Sequence, residues 1–493
     1  MKYKSTRGNG KEVSASEAIL RGLAEDGGLY MPEYIPKLAV KMRDLGDQSY
    51  QETAYEVMRL YLDDYEEEEL RDCIRAAYDE KFDIEEIVSL VKAKDEYYLE
   101  LFHGSTIAFK DMALSLLPHL LRLAAKKNAV DDEIVILTAT SGDTGKAAMS
   151  GFADVPGTRI IVFYPKGGVS RIQELQMLTQ KGENTHVVGI HGNFDDAQNA
   201  VKRIFANKEL AERLSRKKMR LSSANSINIG RLVPQIAYYV YAYAKLLRAG
   251  ELQEGEEINI CVPTGNFGNI LAAYMAKRMG LPVNKLICAS NENKVLYDFF
   301  REGEYKSRRE FILTSSPSMD ILISSNLERL IYLSCGSDPK KTAELMKNLS
   351  EKGEYRIDES MKSYMGDFIG GFAGEEDCSA QIRQVFEEID YVIDPHTAVA
   401  AHVYRQYREK SKDGHKTLIA ATASPYKFAE TVEKAIRKEN AGKDEWEIID
   451  RLCLDSKREI PPAIEEIRNA KIRHDMQSEA DGIEGALAKI LKL

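Results

Sequence analysis

The sequence predicts an α/β protein with two parallel sheets covered by helices, preceded by a mostly helical N-terminal region. Three observations carry this. From residue 95 onward, short apolar runs alternate with helical patterns. The runs are rich in β-branched residues and near-continuous in apolar character, as in strands buried on both faces. Residues 1–95 instead repeat apolar positions at helical spacing.

Within 1–95, Ser14 and Ser16 with Glu17 supply cap chemistry ahead of AILRGLA. DGGLYMPEYIP is a turn-rich break, and QETAYEVMRLYL and EEEELRDCIRAAYDEKF read as amphipathic helices. Beyond it, EIVILTA (133–139) precedes a helix near 145–153, and TRIIVFYP (158–165) one near 170–180. THVVGIHG (185–192) precedes DDAQNAVKRIFANKELAERL. INICVPT (258–264) leads into a helix from 270, and KLICASN (285–291) into KVLYDFFREG. YVIDPHTAVAAHVYRQY and KTLIAATASPYKFAETVEKAI repeat the scheme. Residues 336–385 read as a polar helical insertion on the surface. The expected organisation is a helical N-terminal domain (1–95), a large domain (96–130 and 241–493) and a small mobile domain (131–240).

The 493 residues are 44% hydrophobic and 30% charged, with a net charge of -10. An acidic chain has no basic surplus to neutralise phosphates, so nucleic-acid binding is not expected. The six cysteines form no CxxC pair, so neither a disulfide framework nor a zinc site is read. The opening MKYKSTRGNGKEVSA has no apolar core, and no run reaches the length of a membrane span. A cytoplasmic protein is expected, and monomer and homodimer are both compatible with it.

Parallel sheets place sites at the carboxyl ends of strands. Two such ends stand out. After INICVPT come Gly265, Asn266, Phe267, Gly268 and Asn269, and a helix follows at once. Backbone N–H groups and the helix dipole there suit a phosphate, and glycine permits close approach. The alternative is a tight turn alone. After EIVILTA come Thr140, Ser141, Gly142, Asp143, Thr144 and Gly145. These residues either cap the helix or hold a carboxylate through N–H groups and hydroxyls.

Lys110 lies among Ile107, Ala108, Phe109, Met112, Ala113 and Leu114. Burial disfavours its ammonium form and lowers its pKa, as an imine-forming lysine requires. A pair with Asp111 is the plainer alternative. Lys427 in ATASPYKF ranks second as the reactive lysine, and His103 reads as a satisfied polar contact.

HGSTIAFKD, TSGDTG, SANSINIGR, PTGNFGN, SPSMDILISSNLERL, DPHTAVAAH and ATASPYKF, in that order, resemble the threonine synthase family, as do YKSTRG and GLAEDGGLYMP. The resemblance runs from about residue 3 to 435, with motif forms of the bacterial and fungal branch. It implies fold type II of the pyridoxal-phosphate enzymes, the tryptophan synthase β-like group. The implied cofactor is pyridoxal 5'-phosphate, and the implied reaction is O-phospho-L-homoserine plus water to L-threonine plus phosphate, by γ-elimination and β-addition.

By motif, Lys110 resembles the cofactor-bearing lysine. Gly265, Asn266, Phe267, Gly268 and Asn269 resemble the cofactor's phosphate cradle, and Thr422 the hydroxyl facing the pyridine nitrogen. Ser141, Gly142, Asp143 and Thr144 match the loop gripping a substrate carboxylate. Asn225, Ser226, Asn228 and Arg231 are similar to a pocket for the substrate phosphate. Ser105 departs from the commoner HGPT, and Lys146 stands where a small residue is common; it reads as a solvated side chain, with contact to an anion as the alternative. The alternative within the same fold is a serine or threonine dehydratase or a phospho-lyase, releasing 2-oxobutyrate.

Overall fold

β1 (Tyr3–Ser5) pairs antiparallel with β2 (Tyr30–Pro32), so the N-terminal region is not purely helical. The chain is seen in a computed structural model that describes residues 1–8, 10–140, 143–437 and 444–493. Three helices follow the expected patterns. Ser14 caps Ala15–Arg21 by accepting from the Glu17 N–H, Ser49 caps Tyr50–Met58, and Glu69 closes a capping box with Glu66 ahead of Glu67–Ala77.

The larger sheet begins with β3 (Ser89–Ala93) and β4 (Glu96–Glu100), an antiparallel pair, so the stretch 1–95, expected to be mostly helical, ends in a strand of the larger sheet. The smaller sheet follows: β5 (Glu133–Ala139), β6 (Thr158–Pro165), β7 (Thr185–His191) and β8 (Met219–Ser222). The chain then returns through β9 (Ile258–Pro263) and β10 (Val283–Ser290) to the larger sheet. β11 (Glu304–Lys306) and β12 (Glu354–Arg356) form a small antiparallel pair. β13 (Phe368–Phe372) and β14 (Thr417–Ala421) complete the larger sheet, and β15 (Met476–Glu479) joins the smaller one.

The six strands run in the order β13-β10-β9-β14-β4-β3, parallel except at β3. The five run β15-β7-β6-β5-β8, all parallel. Three expectations change. Residues 336–385 are not only a surface insertion, because β13 in that stretch is the edge of the larger sheet. Tyr391–Ile393 are not a strand; Asp394 instead caps the helix Pro395–Ser411 through the His396 and Thr397 N–H groups. The smaller sheet also reaches past 131–240, taking β15 from near the C-terminus.

The helix Pro234–Arg248 is apolar on all sides and buried almost throughout, with Tyr238, Tyr239, Tyr241 and Tyr243 along it. It packs against both Tyr50–Met58 and Gly268–Met279. The N-terminal helices therefore share one core with the larger sheet and fix the helix that starts at the glycine-asparagine turn.

Candidate active site

β9, β14 and β4 are neighbours in the larger sheet. Their carboxyl ends lead into the glycine-asparagine turn, Thr422 and the Lys110 loop, which topology thus brings to one edge. The Lys110 loop is sewn to β14's continuation: the Phe109 N–H donates to the Thr422 carbonyl at 2.8 Å, and the Ser424 N–H to the Ile107 carbonyl at 3.0 Å. Two bulky residues flank the site in the left-handed region, Ile107 (φ 50) and Phe267 (φ 65). Each conformation costs about 1–3 kcal/mol and persists because its surroundings enforce it. Phe267 is 1% exposed and packs on Phe300 and Phe368, with ring centroids 6.0 and 5.7 Å away. Its side chain belongs to the core, so only its backbone faces the turn.

The helix Gly268–Met279 starts with no side-chain cap, leaving its first N–H groups without intrahelical acceptors. A Cβ on Gly265 would lie 2.6 Å from the Ser318 carbonyl oxygen, so glycine is needed for that approach. Asn266 is exposed, and its carbonyl accepts from the Asn326 backbone and side chain. Asn269 is buried; its Oδ1 accepts from the Tyr239 hydroxyl, while its Nδ2 has no partner among the described residues.

Lys110 is 12% exposed and donates to Ser318 Oγ at 2.9 Å and, more weakly, to Asp143 Oδ2 at 3.4 Å. Burial lowers its pKa, opposed by Asp143 and assisted by Lys427 and Arg231. Asp111 is not its partner: that carboxylate binds the Thr106 N–H and hydroxyl. Asp143 Oδ1 lies 3.2 Å from Lys427 Nζ and accepts from Gln173 Nε2 at 2.8 Å. Burial alone would push the Asp143 carboxyl up, but Lys427 and Lys110 outweigh it and hold it well below the usual range. Its side chain thus presents negative charge to two lysines. Ser141 and Gly142 lie outside the described residues, and Thr144 is half-buried in the first helical turn. Gly145 is required where that helix crosses β6, since a Cβ would meet Val162 at 2.7 Å.

Lys146 is not solvated. It is 8% exposed, its Nζ bonds Gln180 Oε1, and burial lowers its pKa to about 7. Ser105 accepts from the Ser150 hydroxyl at 3.0 Å, tying the HGST turn to the helix Asp143–Phe152. His103 is a satisfied contact between Asp83 and Glu100.

Arg231 is buried, donates from one terminal nitrogen to the Ala224 carbonyl at 2.8 Å, and has an Nε with no partner among the described residues. Burial lowers its pKa to about 10. Such an under-coordinated guanidinium favours an anion. Asn225 is exposed and Ser226 half-buried beside it. Asn228 departs from expectation: its carboxamide accepts from the Gly230 N–H and donates to the Ile19 carbonyl, so it is a framework residue.

Three residues escaped individual notice. Ser318 lies against Lys110, Asp143 and Gly265. His396 accepts the Ser318 N–H at 3.2 Å. Asn326 bridges the Asn266 and Ser226 carbonyls at 3.0 and 3.2 Å. Their motifs were visible, but no local pattern marked these positions within them.

Three family models match the chain: "Threonine synthase N terminus" over residues 2–78, "Pyridoxal-phosphate dependent enzyme" over 84–423, and "Threonine synthase, C-terminal" over 397–482. Threonine synthase-like 1 of Pongo abelii is 39% identical over 86% of this chain, and the chain spans 58% of that relative's length. Threonine synthase of Saccharomyces cerevisiae is 36% identical, covering 88% of this chain and 89% of the relative. The crystal structure of PLP-bound threonine synthase from Brucella melitensis superposes with a TM-score of 0.86 at 35% identity, covering 99% of both chains.

Proposed function

The chain belongs to the threonine synthase family of pyridoxal-phosphate-dependent enzymes, and from this premise we propose that it converts O-phospho-L-homoserine and water to L-threonine and phosphate. The residues fit the cofactor. An uncapped helix start, the partnerless Asn269 Nδ2 and the glycine at 265 suit its phosphate. A buried lysine of lowered pKa suits its aldehyde. The Thr422 hydroxyl is assigned to the ring nitrogen; being neutral, it does not enforce a full positive charge there. When bound, the cofactor supplies an electron sink for negative charge generated beside the substrate's amino carbon.

The chain's own residues do the rest. Lys110 would hold the cofactor through Nζ, and the same nitrogen would accept and return protons, a task its lowered pKa suits. The substrate carboxylate is assigned to the TSGDTG stretch, Ser141, Gly142, Asp143 and Thr144. Arg231, with Asn225 and Ser226 at the same loop, takes the substrate phosphate. Closure of the smaller-sheet unit over the larger excludes water until it is needed. Six free cysteines suit a reducing cytosol.

The observation that carries this reading is the chain of contacts from Lys110 through Ser318 to Gly265, which joins a buried amine to an anion-ready turn. The test is to supply pyridoxal 5'-phosphate and O-phospho-L-homoserine, measure phosphate release and identify the organic product. Threonine equimolar with phosphate is expected. Release of 2-oxobutyrate instead would overturn the assignment in favour of a dehydratase or phospho-lyase.

A further inference from the structure

We propose that Ser318 is a positioning residue whose hydroxyl, bonded to both the Lys110 amine and the Asp143 carboxylate, keeps their direct contact long, at 3.4 Å, and stops it from tightening. The proposal rests on Lys110 being the cofactor lysine. Ser318 Oγ donates its one proton to Asp143 Oδ2 at 2.7 Å, which leaves its lone pairs for the Lys110 N–H at 2.9 Å. The lysine and carboxylate are thereby held 3.4 Å apart, longer than a charge-assisted hydrogen bond.

The serine backbone is pinned on two sides. Its N–H donates to His396 Nε2 at 3.2 Å, and that ring is fixed by Asp394 Oδ2 at 2.6 Å from Nδ1. Its carbonyl sits against Gly265, where even a Cβ would not fit. Behind it, Asp320 binds Thr314, Asn291 and Asn293 and holds the loop closed. Asp143 is equally constrained, since its second oxygen is taken by Lys427 and Gln173. The charged groups acting on Lys110 are Asp143 from the helix after β5, Lys427 from the turn after β14, and Arg231 from the helix Ile229–Leu232.

Without the hydroxyl, Nζ and Oδ2 can close the gap. A shorter pair favours the ammonium form more strongly. An ammonium neither attacks an aldehyde nor accepts a proton, so the spacer keeps the amine usable. Ser318 thus links three features that the chain brings from distant stretches: the lysine loop, the helix after β5 and the phosphate turn.

The test uses cofactor-free full-length protein, labelled at lysines with acetic anhydride across a pH series and read at Lys110 by peptide mass spectrometry. In Ser318→Ala, the labelling midpoint is expected to rise by about one pH unit, a roughly tenfold slower reaction below the midpoint. Ser318→Thr, which keeps the hydroxyl, restores the wild-type midpoint, and adding Asp143→Asn to Ser318→Ala removes the rise. A midpoint that stays put or falls in Ser318→Ala overturns the proposal. Should the alanine variant not fold, Ser318→Cys, with a weak donor in place of a strong one, is expected to give a smaller rise, and no rise overturns the proposal. Borohydride reduction of holoprotein, with mapping of the cofactor's mass, tests the Lys110 assignment separately. Cofactor found on another lysine would sink that assignment while leaving the labelling result for Ser318 intact.

Discussion

Lys427 Nζ, fully buried after β14, lies 3.2 Å from Asp143 Oδ1 at the start of the helix after β5, and so ties the larger sheet to the smaller. The same ammonium donates to the Thr106 carbonyl at 2.9 Å and to Gln176 Oε1 at 3.3 Å. Its engagement on these partners makes it a structural cation beside Lys110.

Removing one partner of a buried ion pair leaves the other charge uncompensated and costs about 3–5 kcal/mol. Lys427→Met is therefore expected to lower the urea midpoint of the cofactor-free protein by the equivalent of about 3 kcal/mol, at the lower end because Lys110 still faces Asp143. Lys427→Met with Asp143→Asn should recover part of the loss. A midpoint unchanged in the single variant would show that the pair contributes nothing.

The two glycines of the glycine-asparagine turn should respond differently to an added methyl. At Gly265 a Cβ would meet the Ser318 carbonyl oxygen at 2.6 Å, and the backbone must shift. At Gly268 it would stand 3.6 Å from Asn326 Nδ2 and Gln235 Nε2, ordinary contact. Gly265→Ala is expected to lose both thermal stability and cofactor affinity. Gly268→Ala should keep its stability but weaken cofactor binding tenfold or more, because the methyl occupies space beside the turn. Equilibrium dialysis with pyridoxal 5'-phosphate and thermal denaturation separate the two outcomes.

Local pattern suffices for β9, which lies within INICVPT, and for the turn after it, whose helix lacks a side-chain cap. It does not suffice for what depends on distant partners. Lys146 reads as solvated from its neighbours in sequence, yet Gln180, thirty-four residues on, receives its ammonium. β15 is short and half-exposed, and only the edge of β7 makes it a strand. Ser318 sits in a stretch without periodicity, and its importance comes from positions 110, 143, 265 and 396. Asn228 caps a helix, and in sequence a buried asparagine that caps and one that binds a ligand look the same.

Arg231 carries a charge that burial penalises and that no carboxylate pairs with among the described residues. Arg231→Met removes this unpaired charge. The cofactor-free protein is expected to melt no lower than the parent, while KM for O-phospho-L-homoserine rises at least tenfold and cofactor content stays the same. A lower melting point with unchanged KM would make the arginine a structural residue.

His103 makes the stability of the fold depend on pH. Its Nδ1 lies 2.7 Å from Asp83 Oδ1 and its Nε2 3.1 Å from Glu100 Oε2, so both ring nitrogens face carboxylates and only the imidazolium satisfies both. Burial would lower its pKa, but the hydrogen bonds to Asp83 and Glu100 win and raise it to about 9 from 6.5. A raised folded-state value stabilises the protein fully below the unfolded pKa, and the gain disappears as pH climbs through the folded one. Wild type should therefore exceed His103→Asn in urea midpoint by a constant margin below pH 6.5, and that margin should shrink steadily to pH 9. Glu100 behaves in the opposite sense. Burial pushes it up, but His103 and Arg458 bring it down to about 2, so its contribution is complete above 4.5 and fades only in strong acid. Urea titrations at pH 6, 8 and 10 isolate the histidine, because Glu100 is ionised throughout that range. A margin between the two proteins that does not narrow as the solution becomes alkaline would mean that His103 is already neutral in the fold.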